Sequence, residues 1–182
     1  MTTFSMYPFS RGHIHITGPN QSDPVDFHTG FLEDEGDFDL KTLQYLYKTQ
    51  RELVRRMNLY RGELAAVHPV YPEGSAAGIR SGPLSGDIKD LEYTAEDDEA
   101  IDSWIRQTMG TPWHGLGTCK MGKVEDGGAV DASLNVHGVK GLKVVDLSVV
   151  GGNVAANTNA TALMIGEKAS DILINDLGLS KK

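Results

Sequence analysis

The sequence predicts an α+β fold. Segments near 40–57, 94–109 and 159–177 repeat apolar residues at helical spacing, whereas 11–18 and the stretch after Pro112 carry short apolar runs broken by glycine. The two kinds follow one another without regular alternation, which sets the chain apart from parallel α/β architectures.

Residues 11–18, Arg-Gly-His-Ile-His-Ile-Thr-Gly, alternate in polarity and read as a short strand closed by Gly18-Pro19-Asn20. Residues 19–36 are rich in Pro, Asp and Gly and read as a loop, with Phe27 and Phe31 as anchors. A helix is expected next, with Leu40, Leu43, Leu46 or Tyr47, Leu53 or Val54, and Met57 on one face. Glu33, Asp34, Glu35, Asp37 and Asp39 precede it and Arg51, Arg55 and Arg56 lie near its end, an order that suits the helix dipole; Arg61-Gly62 is the expected stop.

Residues 69–90 hold Pro69, Pro72 and Pro83 among repeated glycines and read as a long connection. Thr94 is placed to cap a second helix, with Glu96, Asp97 and Asp98 behind it, burying Ile101, Trp104, Ile105 and Met109 and ending at Gly110. From Pro112 the texture changes to short strands joined by tight turns, and a final helix from Asn159 to Leu177 offers Leu163, Ile165, Ala169, Ile172 and Leu173 for burial, with Gly178 as its stop.

The 182 residues carry a formal net charge of -8, which argues against nucleic-acid and anionic-membrane partners. No apolar run approaches the roughly 20 residues needed to span a bilayer. The N-terminus lacks a signal-peptide pattern, and the tail, Leu-Ser-Lys-Lys, is not an SKL-type address. The expectation is a soluble intracellular protein whose compartment is left open. One cysteine, Cys119, excludes an internal disulfide framework.

Three signals carry chemistry. In Trp113-His114-Gly115-Leu116-Gly117-Thr118-Cys119 a histidine sits beside glycines, which suits a ring that approaches a ligand and equally suits a satisfied histidine at a strand end. In Asn153–Ala160 the polar Asn157, Thr158 and Asn159 lead into the last helix, whose free N–H groups favour an electron-rich ligand; one of them as a plain helix cap is the alternative. Cys119 with His114 is a possible nucleophile and base, for which a structural cysteine is the better reading. His13 and His15 share one strand face, but no Asp, Glu or Cys beside them completes a metal set, so no metal site is expected. His28, His68 and His137 stand singly.

The run from Trp113 to Gly122, then Val130-Asp131, then Leu134 to Asp146, and finally Asn157 to Ala169 closely resembles the glucose–methanol–choline (GMC) oxidoreductases. Residues 7–31 and the helix over 39–57 look like the preceding part of the same C-terminal region, and Ser10–Gly18 with Gly166–Leu173 is similar to the fungal alcohol (methanol) oxidase branch.

The resemblance implies an FAD-dependent enzyme that oxidises a primary alcohol to an aldehyde and passes the electrons to oxygen or another acceptor. It also implies that 1–112 belong to a substrate domain, an antiparallel sheet backed by helices, and that 113–182 form an active-site portion, whose strand and helix return to the flavin domain. His114 matches the family's active-site histidine and Asn157 its second active-site position, while Trp113, Asp146, Leu147, Thr158 and Asn159 match flavin-facing positions. An imidazole titrates near neutrality and can take the hydroxyl proton; an amide can hold the same oxygen. Val149-Val150-Gly151-Gly152 stands where members commonly carry a proline. The G-x-G-x-x-G dinucleotide fingerprint is not found, so the chain is read as the C-terminal part of the enzyme, with an N-terminal FAD-binding segment as its partner. The competing reading is a truncated, non-catalytic module that serves only in binding or as an antigen.

Overall fold

The computed structural model describes residues 2–179. The chain divides into two compact units, one of Met1–Gly12 with Thr29–Gly110, the other of His13–His28 with Thr111–Lys182.

The first unit is built on α1 (Phe38–Arg55) and α2 (Ala95–Thr108). Leu40 and Tyr47 of α1 pack with Ile101 and Ile105 of α2, and Leu43, Tyr71, Tyr93, Trp104 and Met109 close around them. Ile101 is fully buried, a burial that stabilises by about 2–3 kcal/mol. The α2 start is the expected one: Thr94 accepts the Asp97 N–H at 3.2 Å and the Asp97 carboxylate accepts the Thr94 N–H at 2.9 Å, a reciprocal capping box. At α1, Asp34 takes the Phe38 N–H at 2.6 Å, and Asp39 turns back to hold the N–H groups of Phe9 and Ser10 at 2.9 and 2.8 Å.

The end of α1 departs from expectation. The helix stops at Arg55 rather than at Arg61-Gly62, and Leu53 and Met57 are exposed. The inward positions of its last turns are held by Arg51 and Arg55, both buried, so the apolar stripe rotates out where the arginines rotate in. Arg51 finds its partners inside: Glu63 by two bonds of 2.8 Å, the Ala77 carbonyl at 2.9 Å, and the Tyr71 and Tyr93 hydroxyls at 3.0 and 3.2 Å. Tyr71 donates to Tyr47, whose hydroxyl shares a 2.7 Å bond with His68 Nδ1. His68 therefore does not stand alone. Residues 69–90 form the expected irregular connection, with one bridge between Gly62 and Ser81.

In the second unit, β1 (His13–Ile16) pairs antiparallel with β2 (Val25–His28) in the register His13↔His28, Ile14↔Phe27, His15↔Asp26, Ile16↔Val25. The reading of 19–36 as loop throughout is thus corrected. Val-Asp-Phe-His alternates in polarity and forms a strand, the Pro- and Asp-rich stretch before it serving as the turn. Phe27 and Phe31 are exposed and anchor nothing in their units.

The strands expected after Pro112 do not form ladders among the described residues. Met121↔Val130, Val130↔Val136 and Asn135↔Lys143 are isolated bridges, and the expected strand end at Leu147–Val149 is a 3₁₀ turn. Positive φ at Gly117, Gly127, Gly138 and Gly141, and at Leu134 (φ 65°), turns the chain before any pairing can extend. Asp131 holds the Leu134 turn by accepting the N–H groups of Ser133 and Asn135 at 2.8 and 2.9 Å. Val130, Leu134 and Val149 form the core with Ile165 and Ala169 of α3 (Asn159–Asp176). Leu163 and Leu173, expected to be buried, are exposed, because the one narrow stripe of α3 that faces this core runs through Ile165, Ala169 and Ile172. Gly178, at φ 62°, terminates the helix as expected, with its N–H on the Asn175 carbonyl and the Leu179 N–H on Ile174.

Candidate active site

The site residues all lie in the second unit, where three segments meet. Residues 117–121 run beside 147–149 through N–H bonds from Gly117 to the Leu147 carbonyl (3.3 Å), Cys119 to Ser148 (2.9 Å) and Met121 to Val149 (2.9 Å). Asp146 opens that 3₁₀ turn by accepting the Ser148 N–H at 2.7 Å, and the hydrogen bonds from Ser148, side chain and backbone, hold its carboxyl below the usual carboxylate range. Val149 then packs on Ile165 and Ala169, which ties the turn to α3.

Trp113 and His114 precede this pairing. Trp113 is 88% exposed at φ 64°, a left-handed conformation that is costly for a bulky residue, and its N–H bonds to Thr111 Oγ1 at 3.1 Å. His114 is half-buried, while Leu147 lies half-buried against the core cluster. Thr158 is buried at the start of α3, makes no side-chain cap bond, and gives its carbonyl to the Ala162 N–H at 2.9 Å. Asn157 and Asn159 are exposed, and Asn157 Oδ1 accepts the Asn159 N–H at 3.1 Å. Asn157 thus acts locally as a cap. That bond assigns its oxygen inward and leaves the amide N–H groups as the donors it can offer a ligand.

No hydrogen bond joins His114 to Asn157 or to the free thiol Cys119, so the nucleophile–base pairing gains no support. Lys143 and Asp131 were passed over by the sequence reading, although Asp131-Ala-Ser-Leu-Asn135 carries Asx-turn spacing. Lys143 Nζ reaches Asn135 Oδ1 at 2.7 Å and Asp176 of α3 at 2.8 Å, and so braces the turn against the helix. Among the described residues no group of three or more His, Cys, Asp or Glu side chains could hold a metal ion, and no helix is long and apolar enough to cross a membrane.

The family model of GMC oxidoreductases matches residues 8–166, a span that takes in every one of these site positions. The chain belongs to the GMC oxidoreductases. Curated relatives include alcohol oxidase 1 of Komagataella phaffii, 38% identical over 99% of this chain and 34% of its own length. Alcohol oxidase of Pichia angusta is 40% identical with the same coverage. Among solved structures, a fungal aryl-alcohol oxidase matches with a TM-score of 0.63 at 25% identity, over 94% of this chain and 24% of that one. The GMC chain thus spans about a third of the length of these curated relatives.

GMC oxidoreductases are FAD enzymes, and one end of α3 has the chemistry to receive an electron-rich group. The start of α3 presents first-turn N–H groups without helical acceptors and the positive end of its dipole, and Thr158 makes no side-chain bond that would cap it. Asn157 and Trp113 are exposed.

Proposed function

We propose that the chain supplies the catalytic, ring-facing part of an FAD-dependent oxidoreductase acting on the CH–OH group of a primary alcohol and releasing the aldehyde. The observation that supports this most is the family match over 8–166, which includes His114 and Asn157 together with Trp113, Asp146, Leu147, Thr158 and Asn159. Bound FAD would supply the two-electron acceptor, itself reoxidised by oxygen or another acceptor.

In this reading His114 takes the substrate hydroxyl proton on an imidazole nitrogen, a task that its half-buried position and lack of a competing side-chain bond leave open. Asn157, its carboxamide fixed by the Asn159 N–H, donates to the same oxygen and holds the carbon in register. The α3 start lowers the energy of negative charge that builds beside it. Thr158, Asn159, Asp146, Leu147 and Trp113 would hold the cofactor. The adenosine and pyrophosphate site is assigned to a partner segment corresponding to the rest of the relatives' length. Within this chain, residues 1–112 are read as substrate-domain and 113–182 as the flavin-facing portion.

Two experiments test this. In the complete FAD-loaded enzyme, His114→Ala is expected to lower alcohol turnover by about two to four orders of magnitude; near-normal turnover would sink the assignment. The chain alone, incubated with FAD and desalted, is expected to come through colourless and folded. A retained flavin band would mean that these residues hold the cofactor without a partner segment.

A further inference from the structure

Alternation along both strands gives the β1–β2 hairpin one polar and one apolar face. The register sets Ile14 opposite Phe27 and Ile16 opposite Val25. Side chains two apart on a strand, or directly opposite across a pair, share a face. Ile14, Ile16, Val25 and Phe27 therefore form one continuous apolar surface, with His13, His15, Asp26 and His28 on the reverse. Such alternation is the pattern of a sheet with one face buried. Yet all eight residues are exposed, Ile16 by 86% and Phe27 by 64%. Within its unit the ribbon packs on neither α3 nor the 3₁₀ turn at Leu147–Val149. A two-stranded hairpin alone is marginally stable in water, and a third strand or a covering helix is what makes such a ribbon hold.

The two edges differ. Among the described residues β1 and β2 pair only with each other, so each keeps an outer row of backbone N–H and C=O groups outside any ladder. β2 follows Pro24 and carries Asp26, both of which discourage pairing along its outer edge. β1, His-Ile-His-Ile, contains no proline, carboxylate or lysine, and its register runs without a bulge. An open edge of this kind accepts a further strand through main-chain hydrogen bonds. The hairpin lies inside the span that the family model matches, so it belongs to the shared part of these enzymes and is no appendage. The chain covers about a third of the curated relatives' length, and the remainder is long enough to supply the cover.

We infer that the partner segment pairs a strand with the outer edge of β1 and covers the face made by Ile14, Ile16, Val25 and Phe27. The inference rests on the partner segment assigned above and not on the alcohol chemistry. Hydrogen exchange of the amides of residues 13–16 and 25–28 is compared in the chain alone and in the complete enzyme, both without alcohol. Exchange is expected to be at least about a hundredfold slower in the complete enzyme. Ile16→Asp is expected to lower the urea midpoint of the complete enzyme and to leave that of the chain alone unchanged. Ile16→Thr, which keeps a β-branched side chain, repeats the comparison should the aspartate variant fail to fold.

Equal exchange in the two proteins, or midpoints that both substitutions leave untouched, would overturn the inference even with normal alcohol turnover. Slow exchange in a complete enzyme that turns over no alcohol would leave it standing and remove the oxidation reading instead. A chain that sediments by itself as a dimer, with the hairpin already protected, would give the face to a second copy and overturn the partner segment as its occupant.

Discussion

Arg51 grips Glu63 through two parallel bonds, Nε to Oε1 and Nη2 to Oε2, each 2.8 Å, with both side chains almost entirely out of solvent. Three tyrosine rings surround the guanidinium, their centres 5.2 to 5.9 Å from it. A charge placed there has no water to fall back on, so removing its partner leaves it bare. Glu63→Ala is expected to destabilise the α1–α2 unit by about 3–5 kcal/mol, as breaking a buried pair does. Urea unfolding followed by Trp104 emission reads it, since Trp104 packs 5.2 Å from Tyr47. A loss below about 1 kcal/mol would mean that the pair carries no such weight.

The same network makes stability depend on pH in two stages. Burial lowers the His68 pKa, with Glu63 opposing and Arg51 adding to the shift. A base whose folded pKa is depressed gives stability that is complete above its unfolded value, about 6.5, and lost as pH falls below it. Burial alone would raise Glu63, but the Arg51 hydrogen bond and the Arg80 N–H outweigh it and hold the carboxyl low. Its contribution is present above about pH 4.3 and is lost as pH falls through the lower folded value. Acid unfolding curves are expected to lose the first stage in His68→Gln and the second in Glu63→Gln. Curves parallel to the parent in both variants would remove this account.

The α2 capping box predicts a smaller, local effect. Thr94→Ala deletes the acceptor of the Asp97 N–H and is expected to cost about 0.5–2 kcal/mol, whereas Thr94→Ser retains the oxygen and most of the stability. Equal losses in the two variants would argue for packing rather than capping.

In the second unit the closest approach to backbone is at Gly128. A Cβ added there would sit 2.2 Å from the Gly122 carbonyl oxygen, and that backbone is itself held, since the Gly122 N–H bonds to Val130 at 3.0 Å and the Gly128 N–H to Lys123 at 2.8 Å. Gly128→Ala is expected to cost about 1–3 kcal/mol in thermal unfolding. Gly151→Ala meets nothing within 4 Å and is expected to change stability by less than about 0.5 kcal/mol. Similar melting for the two variants would refute the close approach.

What could be read without coordinates follows from how local each determinant is. Thr94 and Asp97 stand three apart, so the α2 start was legible, and so was Gly178 as the stop of α3. The α+β class survives in an antiparallel pair with helices. The inward turn of Arg51 was not legible, because its partners Glu63, Tyr71 and Tyr93 come from loops that no periodicity reports. Strands after Pro112 were over-read because apolar runs such as Val144-Val145 look alike whether they pair or turn. At the site, the spacing of residues pointed to His114 and the Asn157 turn as a location. Only the resemblance to GMC oxidoreductases attached a reaction to them. The cap that Asn157 forms needed the fold.

That cap separates two roles of one residue. Asn157 Oδ1 holds the Asn159 N–H, whereas the proposed chemistry uses the amide N–H groups. Asn157→Asp keeps an acceptor, now charged and at the positive end of α3, so thermal stability is expected to be unchanged or raised by about 0.3–1 kcal/mol. The same variant has no amide donor, and in the complete FAD-loaded enzyme alcohol turnover is expected to fall on the order of a hundredfold, comparable with the loss of one donor from an oxyanion site. Asn157→Ala loses both groups and is expected to cost about 1 kcal/mol in addition to the turnover. If Asn157→Asp turned over normally while Asn157→Ala was merely less stable, Asn157 would be a cap and nothing more, and the donor to the substrate oxygen would have to be sought elsewhere.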